Sequence, residues 1–257
     1  MAEYEKQQHA ASGLTLGLLR RAGSRFHRLM RLLGHRRYWK PLSRGVAASV
    51  EHNDVPFRRD HLTVLDVGAS NGQFALFAEG RFPAAQILSF EPLKEPASTL
   101  RRVTGDRVRV ETVALGSAAG LAEINVSGRD DSSSLLPIGE RQVREFPGTA
   151  RQSTATIEVS TLDSAVNGSV ARPCLLKIDV QGFELEVLKG AHEVLGQVDE
   201  ALVECSFVEL YEGQALADEV IAFMLDRRLR LAGVHGIVFS GDGEPVQADF
   251  LFRRYDA

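Results

Sequence analysis

From residue 61 onward the chain alternates short, nearly unbroken apolar runs with stretches of helical periodicity, and that alternation leaves few folds open. Strands are expected at residues 63–67, 86–90, 108–112, 175–179, 201–206, 230–234 and 250–253, with helices between them at 73–81, 93–103, 183–195 and 215–228. A strand that is apolar on both sides needs cover on both faces, which the intervening helices supply. The expectation is therefore an α/β chain with a doubly wound, mostly parallel sheet. The stretch 121–163 breaks the rhythm: residues 122–126 and 156–161 read as strands of an inserted hairpin, joined by a polar loop over 127–154. A loop of that kind above strand ends is where specificity usually sits.

Charge divides the chain of 257 residues in two. Residues 6–50 carry ten Lys or Arg and no acid, whereas residues 51–257 carry 20 basic and 32 acidic residues. The division predicts a basic helical extension over 1–59 followed by one domain over 60–257. Between residues 14 and 33, Leu14, Leu18, Phe26, Leu29, Met30 and Leu33 recur at helical spacing among Arg20, Arg21, Arg25, Arg28 and Arg31. One reading is peripheral contact with an anionic membrane or an anionic carrier through residues 14–44, and the other is a cap helix on the acidic domain. The longest stretch free of Lys, Arg, Asp and Glu is residues 7–19, short of the roughly 18 apolar residues of a membrane span. Cys174 and Cys205 each sit in an apolar run and read as buried thiols. A reducing, cytoplasmic setting fits, with membrane association through the leader.

Two segments carry chemistry. In Val64-Leu65-Asp66-Val67-Gly68-Ala69-Ser70-Asn71-Gly72-Gln73-Phe74 a strand runs through a glycine turn into a helix. Gly68 permits the sharp turn and Gly72 a close approach to ligand and sheet. An acid, Glu91 of Ser89-Phe90-Glu91-Pro92, closes the next strand about 20 residues on, where a carboxylate accepts hydrogen bonds from ribose hydroxyls. The turn lacks the Gly-x-Gly-x-x-Gly spacing that holds pyrophosphate, and Asp66 precedes it, which suits a ligand bearing positive charge. S-adenosylmethionine carries an ammonium and a sulfonium.

The second segment, Lys177-Ile178-Asp179-Val180-Gln181-Gly182-Phe183-Glu184, ends an apolar strand in a carboxylate. Lys177 and Asp179 share a strand face, and charge inside an apolar strand is costly unless paired. The pair is either a site or a buried structural ion pair.

With Ser132-Ser133-Ser134-Leu135, these segments resemble, in order, the FkbM family of S-adenosylmethionine-dependent methyltransferases. The resemblance spans about residues 60–235. It implies a Rossmann-like class I methyltransferase: a seven-stranded sheet ending in an antiparallel hairpin, here with an inserted hairpin and an N-terminal helical extension. It further implies O-methylation of a hydroxyl on a saccharide, glycosylated molecule or natural product. On that reading Asp66, Gly68, Ala69, Ser70, Asn71, Gly72, Glu91, Pro92, Ala114 and Asp179 hold the cofactor. Gln181 stands where the family often has Glu, so that position is not expected to be essential.

Chemistry adds candidates on the acceptor side. A hydroxyl attacking a methyl group gains from a base, for which Asp179 comes first, with Glu204 its neighbour, then Lys177 and His235. Asp179 and Glu204 could together hold Mg²⁺, or Lys177 could pair with Asp179 and no metal bind. Ser133, Ser134, Glu209 and Tyr211 are expected at the acceptor. Two other readings stay open: a non-catalytic module that kept the pocket and docks through the basic leader, and a nicotinamide-dependent sugar oxidoreductase. An acidic main domain without a base-stacking motif argues against nucleic acid as partner.

Overall fold

A computed structural model describes residues 32–129 and 131–255; most of the amphipathic basic segment read at residues 14–33 lies outside them. The apolar runs pair as strands β1 (Thr63–Val67), β2 (Gln86–Phe90), β3 (Val108–Glu111), β4 (Ala114–Leu115), β5 (Gly120–Ser127), β6 (Arg151–Ser160), β7 (Cys174–Ile178), β8 (Glu200–Ser206), β9 (Leu229–Phe239) and β10 (Pro245–Arg254). Seven of them form one sheet in the order β3-β2-β1-β7-β8-β10-β9. Pairing is parallel from β3 through β8, and β10 runs antiparallel to both of its neighbours. This is the doubly wound, mostly parallel sheet with a terminal antiparallel hairpin that the sequence implies. The insertion forms a separate sheet, β4-β6-β5.

The helices are α1 (Trp39–Ser43), α2 (Gln73–Arg81), α3 (Lys94–Thr104), α4 (Glu140–Glu145), α5 (Leu162–Val166), α6 (Glu184–Lys189), α7 (His192–Leu195) and α8 (Ala217–Asp226). One sheet face buries Val64, Leu175, Leu202 and Leu251 under Phe74, Phe77 and Leu100. The other buries Leu65, Leu176, Val203 and Phe250 under Val187, Leu188, Val220 and Met224. Period-2 alternation thus sends successive residues of each strand to opposite helical layers. Cys174 and Cys205 are buried free thiols. The N-terminal residues are tied to the same body: Leu32, Tyr38, Val46, Ala48 and Val50 pack on Leu76 of α2, and Val55 and Phe57 join the core beside Phe77. Among the described residues no helix is long and apolar enough to cross a membrane.

Beyond strands β6, β9 and β10, which run longer than expected, and the unexpected helix α5, the structure differs from the sequence expectation in three places. The helix expected at 183–195 is broken into α6 and α7 at Gly190, where the chain passes so close to Gly116 that a Cβ would lie 1.9 Å from its carbonyl oxygen. The β4 strand, two residues long, carries no periodicity to read. The loop 127–154 holds α4 and folds back on the body through bridges from Asn125 to Ser134 and from Ile138 to Tyr211.

Gly190→Ala should cost about 1–3 kcal/mol, because two backbones must separate to admit one methyl group. Scanning calorimetry should show a melting midpoint several degrees lower; an unchanged midpoint would contradict the close approach.

Candidate active site

Strand order reverses between β1 and β7, and at their carboxyl ends the sheet opens into a cavity of about 290 Å³. Gly68 has φ +75°, and a Cβ on it would fall 1.8 Å from the Asp179 carbonyl oxygen, so the turns after β1 and β7 meet backbone to backbone. Gly72 has φ +99°, a left-handed conformation that side chains rarely adopt, and a Cβ there would also lie 2.6 Å from Leu100 Cδ1 of α3.

One end of the cavity is organised by Glu91, which is 6% exposed. Its two carboxylate oxygens accept the backbone N–H groups of Ser70 at 2.9 Å and Leu93 at 2.8 Å. Burial pushes the Glu91 carboxyl up to about 7, against the pull of those hydrogen bonds. Gly68, Ala69, Ser70, Glu91, Pro92 and Ala114 all line this end, with Val113, Leu115 and Phe183 adding apolar wall. Asn71 and Gly72 lie in the turn but off the cavity wall.

Asp66 is fully buried beneath the turn, also off the wall, so it meets Lys177 and not the cavity. Lys177 Nζ lies 3.6 Å from Asp66 Oδ1 and 3.5 Å from Asp179 Oδ2, and donates to the Gly68 carbonyl at 3.1 Å. Burial would lower the Lys177 pKa, yet Asp179, Asp66, Glu204 and Asp249 together hold it above its ordinary value. Desolvation raises the Asp66 carboxyl, opposed by Lys177. Ser89 donates to the other Asp66 oxygen at 3.1 Å. The pair is at once structural and part of the site, since Lys177 and Asp179 line the cavity.

Beyond Asp179 lies a second group of polar side chains. Gln181 Nε2 donates to Asp179 Oδ1 at 2.8 Å and to Glu204 Oε2 at 2.9 Å, while Gln247 Nε2 donates to Glu204 Oε1 at 2.9 Å. Desolvation, then Asp179 and Asp249, raises Glu204 well above the usual carboxylate range. The place between Asp179 and Glu204 that Mg²⁺ would need is held by an amide that cannot ligate a cation through its nitrogen. Among the described residues no group of three His, Cys, Asp or Glu side chains is arranged to hold a metal.

The other expected residues divide by position. Ser133 and Ser134 line the cavity, with Ser134 Oγ donating to the Gln181 carbonyl at 2.6 Å. Tyr211 is buried behind the wall, its hydroxyl 2.6 Å from Gln181 Oε1. Glu209 is exposed and accepts the Gly213 N–H at 2.7 Å, so it closes a turn away from the cavity. His235 sits on β9 beside Asp249 and off the wall. The histidine on the wall is His52, in the turn Val50–Asp54. Its Nδ1 lies 3.1 Å from the Ser49 carbonyl, its Nε2 3.5 Å from Asp249 Oδ2, and its ring stands edge-on to Phe74 at 5.2 Å. Burial lowers the His52 pKa, but Asp249 and Glu51 outweigh burial and the opposing Lys177, leaving it raised. No local motif marks His52; only the fold brings it to the strand ends.

The sequence matches the methyltransferase FkbM domain over residues 66–231. The chain belongs to the FkbM methyltransferase family. Its relatives include the 2-O-methyltransferase NoeI of Sinorhizobium fredii, 29% identical over 160 residues that cover 59% of this chain and 66% of the relative. The methyltransferase sdnD of Sordaria araneosa is 28% identical over 193 residues, covering 64% of this chain and 72% of its own. The hexuronic acid methyltransferase AglP of Haloferax volcanii is 30% identical over 140 residues, 54% of each chain. This FkbM-family chain therefore spans about two thirds, or somewhat over half, of the relatives it matches. Ser49 and His52 stand outside the matched region although they line the same cavity.

Lys177→Met should destabilise the fold by about 3–5 kcal/mol, because it leaves Asp66 buried without its cation. Adding Asp66→Asn should recover part of that loss in urea unfolding; equal stability of the single and double variants would show that the pair is not coupled.

Proposed function

We propose that the chain is an S-adenosylmethionine-dependent O-methyltransferase acting on a hydroxyl of a saccharide or of a glycosylated or natural-product small molecule. The observation that carries this reading is the presence, on one cavity, of a clamped carboxylate at the end of β2 and an ion-paired carboxylate at the end of β7. Glu91 is suited to the ribose hydroxyls, since each of its oxygens keeps a lone pair after accepting a backbone N–H. The turn from Gly68 to Ser70 would hold the methionine portion, with Val113, Ala114 and Leu115 beside the adenine. Bound there, S-adenosylmethionine supplies an electrophilic methyl group whose bond to sulfur breaks as the acceptor oxygen attacks.

The chain's own contribution is alignment and proton removal. Asp179 faces the cavity with Lys177 Nζ 3.5 Å from its Oδ2, so its carboxylate stands where it can take the proton of an attacking hydroxyl. Ser133, Leu135 and His52 bound the acceptor end and limit the entry of water. The relatives named as a 2-O-methyltransferase and a hexuronic acid methyltransferase support a hydroxyl-rich acceptor. We assign docking on an anionic membrane or carrier to the basic residues 14–44. Support comes from Trp39, which is 50% exposed with the Arg36 guanidinium 5.9 Å from its ring centroid.

Calorimetry with S-adenosylhomocysteine tests the cofactor half. Binding to the wild type should be lost or cut at least tenfold in Glu91→Ala. Because Glu91 must be ionised to accept both ribose hydroxyls, wild-type affinity should be flat above pH of about 7 and fall as pH drops through it. Absence of binding to the wild type would overturn the proposal. Asp179→Asn should retain S-adenosylhomocysteine yet lose turnover by about 10²–10⁴-fold, followed as transfer of an isotope-labelled methyl group to glycans.

A further inference from the structure

Two carboxylates, Asp179 and Glu204, close neighbouring strands and share one donor. The side-chain amide of Gln181 has two N–H bonds, and its nitrogen lies 2.8 Å from one carboxylate and 2.9 Å from the other, so each carboxylate receives one hydrogen. Turning the amide over would set its oxygen against both carboxylates, and in the present orientation Oε1 lies 2.6 Å from the Tyr211 hydroxyl. Burial keeps the Tyr211 phenol protonated, as do the nearby Glu204 and Asp179 carboxylates.

The backbone of Gln181 is fixed as firmly. Its φ is +58°, a left-handed conformation that is strained for a residue with a side chain. That conformation is held from both sides. Ser134 Oγ donates to its carbonyl at 2.6 Å, and Glu184 Oε1 accepts the N–H groups of Val180 at 3.0 Å and Gly182 at 3.1 Å. Strain of this kind persists only where the surroundings over-determine it.

Resting on the methyltransferase reading above, we infer that Gln181 is the positioning residue of the acceptor half, its amide standing where a divalent cation would otherwise join Asp179 to Glu204. It holds the two carboxylates together without a metal ion and leaves Asp179 aimed at the cavity. Gln247 occupies the remaining Glu204 oxygen and Lys177 faces the remaining Asp179 oxygen, so a cation would have to displace a donor on every side. Ser134 and Tyr211 then act through Gln181, which places their contribution in the geometry of Asp179.

The test compares wild type, Gln181→Glu and the near-isosteric Gln181→Met. Each is titrated with Mn²⁺ by electron paramagnetic resonance and with S-adenosylhomocysteine by calorimetry, and methyl transfer is assayed with and without chelator. Wild type should bind no Mn²⁺ at the site and turn over equally with chelator. Gln181→Glu replaces the shared donor with a third carboxylate. It should keep S-adenosylhomocysteine affinity, gain a Mn²⁺ site, and lose turnover about a hundredfold in chelator. Part of that loss should return with Mn²⁺, and part towards acid pH, where a protonated Glu beside Asp179, Glu204, Lys177 and Tyr211 can again donate. Gln181→Met should lose turnover without gaining the Mn²⁺ site. Tight Mn²⁺ binding by the wild type, or wild-type turnover of Gln181→Glu in chelator, would overturn the inference. The Mn²⁺ titration needs neither cofactor nor acceptor, so it decides the point even if the methyl-transfer reading fails.

Discussion

The ammonium group of Lys177 is the interaction on which the site is built. It sits on an interior strand at 6% exposure, where an unpaired charge would be prohibitive, and it is held by Asp66 on one side, Asp179 on the other and the Gly68 carbonyl between them. These partners belong to the two strands that flank the reversal of strand order, and their separation fixes how the two turns approach. Phe74 packs beneath the same ammonium, 5.8 Å from its ring centroid, and ties the first turn of α2 to the charge. The Asp179 N–H also donates to the Val67 carbonyl at 3.1 Å, so a backbone hydrogen bond and the ion pair together close the contact of Gly68 with Asp179.

The face that carries this pair shows how the site grows out of the core. Reading across the sheet, Asp66 pairs with Lys177, Lys177 with Leu202, and Leu202 with Leu251; two residues further on, Glu204 pairs with Asp249. The alternation that buries Val64 and Leu175 under α2 continues unbroken, but its final positions are ionisable. The acidic excess of residues 51–257 is gathered in part at this one edge. There burial, and then Asp179 and Asp249, push the Glu204 carboxyl up, while Lys177 stands 3.5 Å from Asp179.

Much of this was legible in the chain. The strands at 63–67 and 86–90 and the helix at 73–81 form at the expected residues, because apolar runs bounded by glycine or proline have no competing arrangement. Glu91, Lys177 and Asp179 were legible for a related reason: a charge that closes an apolar strand is conspicuous. The break at Gly190 was not, since the chain passes there against a carbonyl more than 70 residues away. Nor was the setting of Gln181, whose amide meets Asp179, Glu204 and Tyr211 only once the chain is folded. His52 lay hidden in a stretch whose strongest signal was positive charge, although the fold sets it against Asp249, almost 200 residues further on.

The turn at 50–54 has a bearing on how such a molecule diverges. Most of the cavity wall comes from segments inside the family match, while Ser49 and His52 come from chain that precedes it. The cavity is thereby built from two separate pieces of sequence. A change confined to residues 49–52 would reshape one stretch of its wall while leaving the Lys177 ion pairs and the clamped Glu91 carboxylate in place.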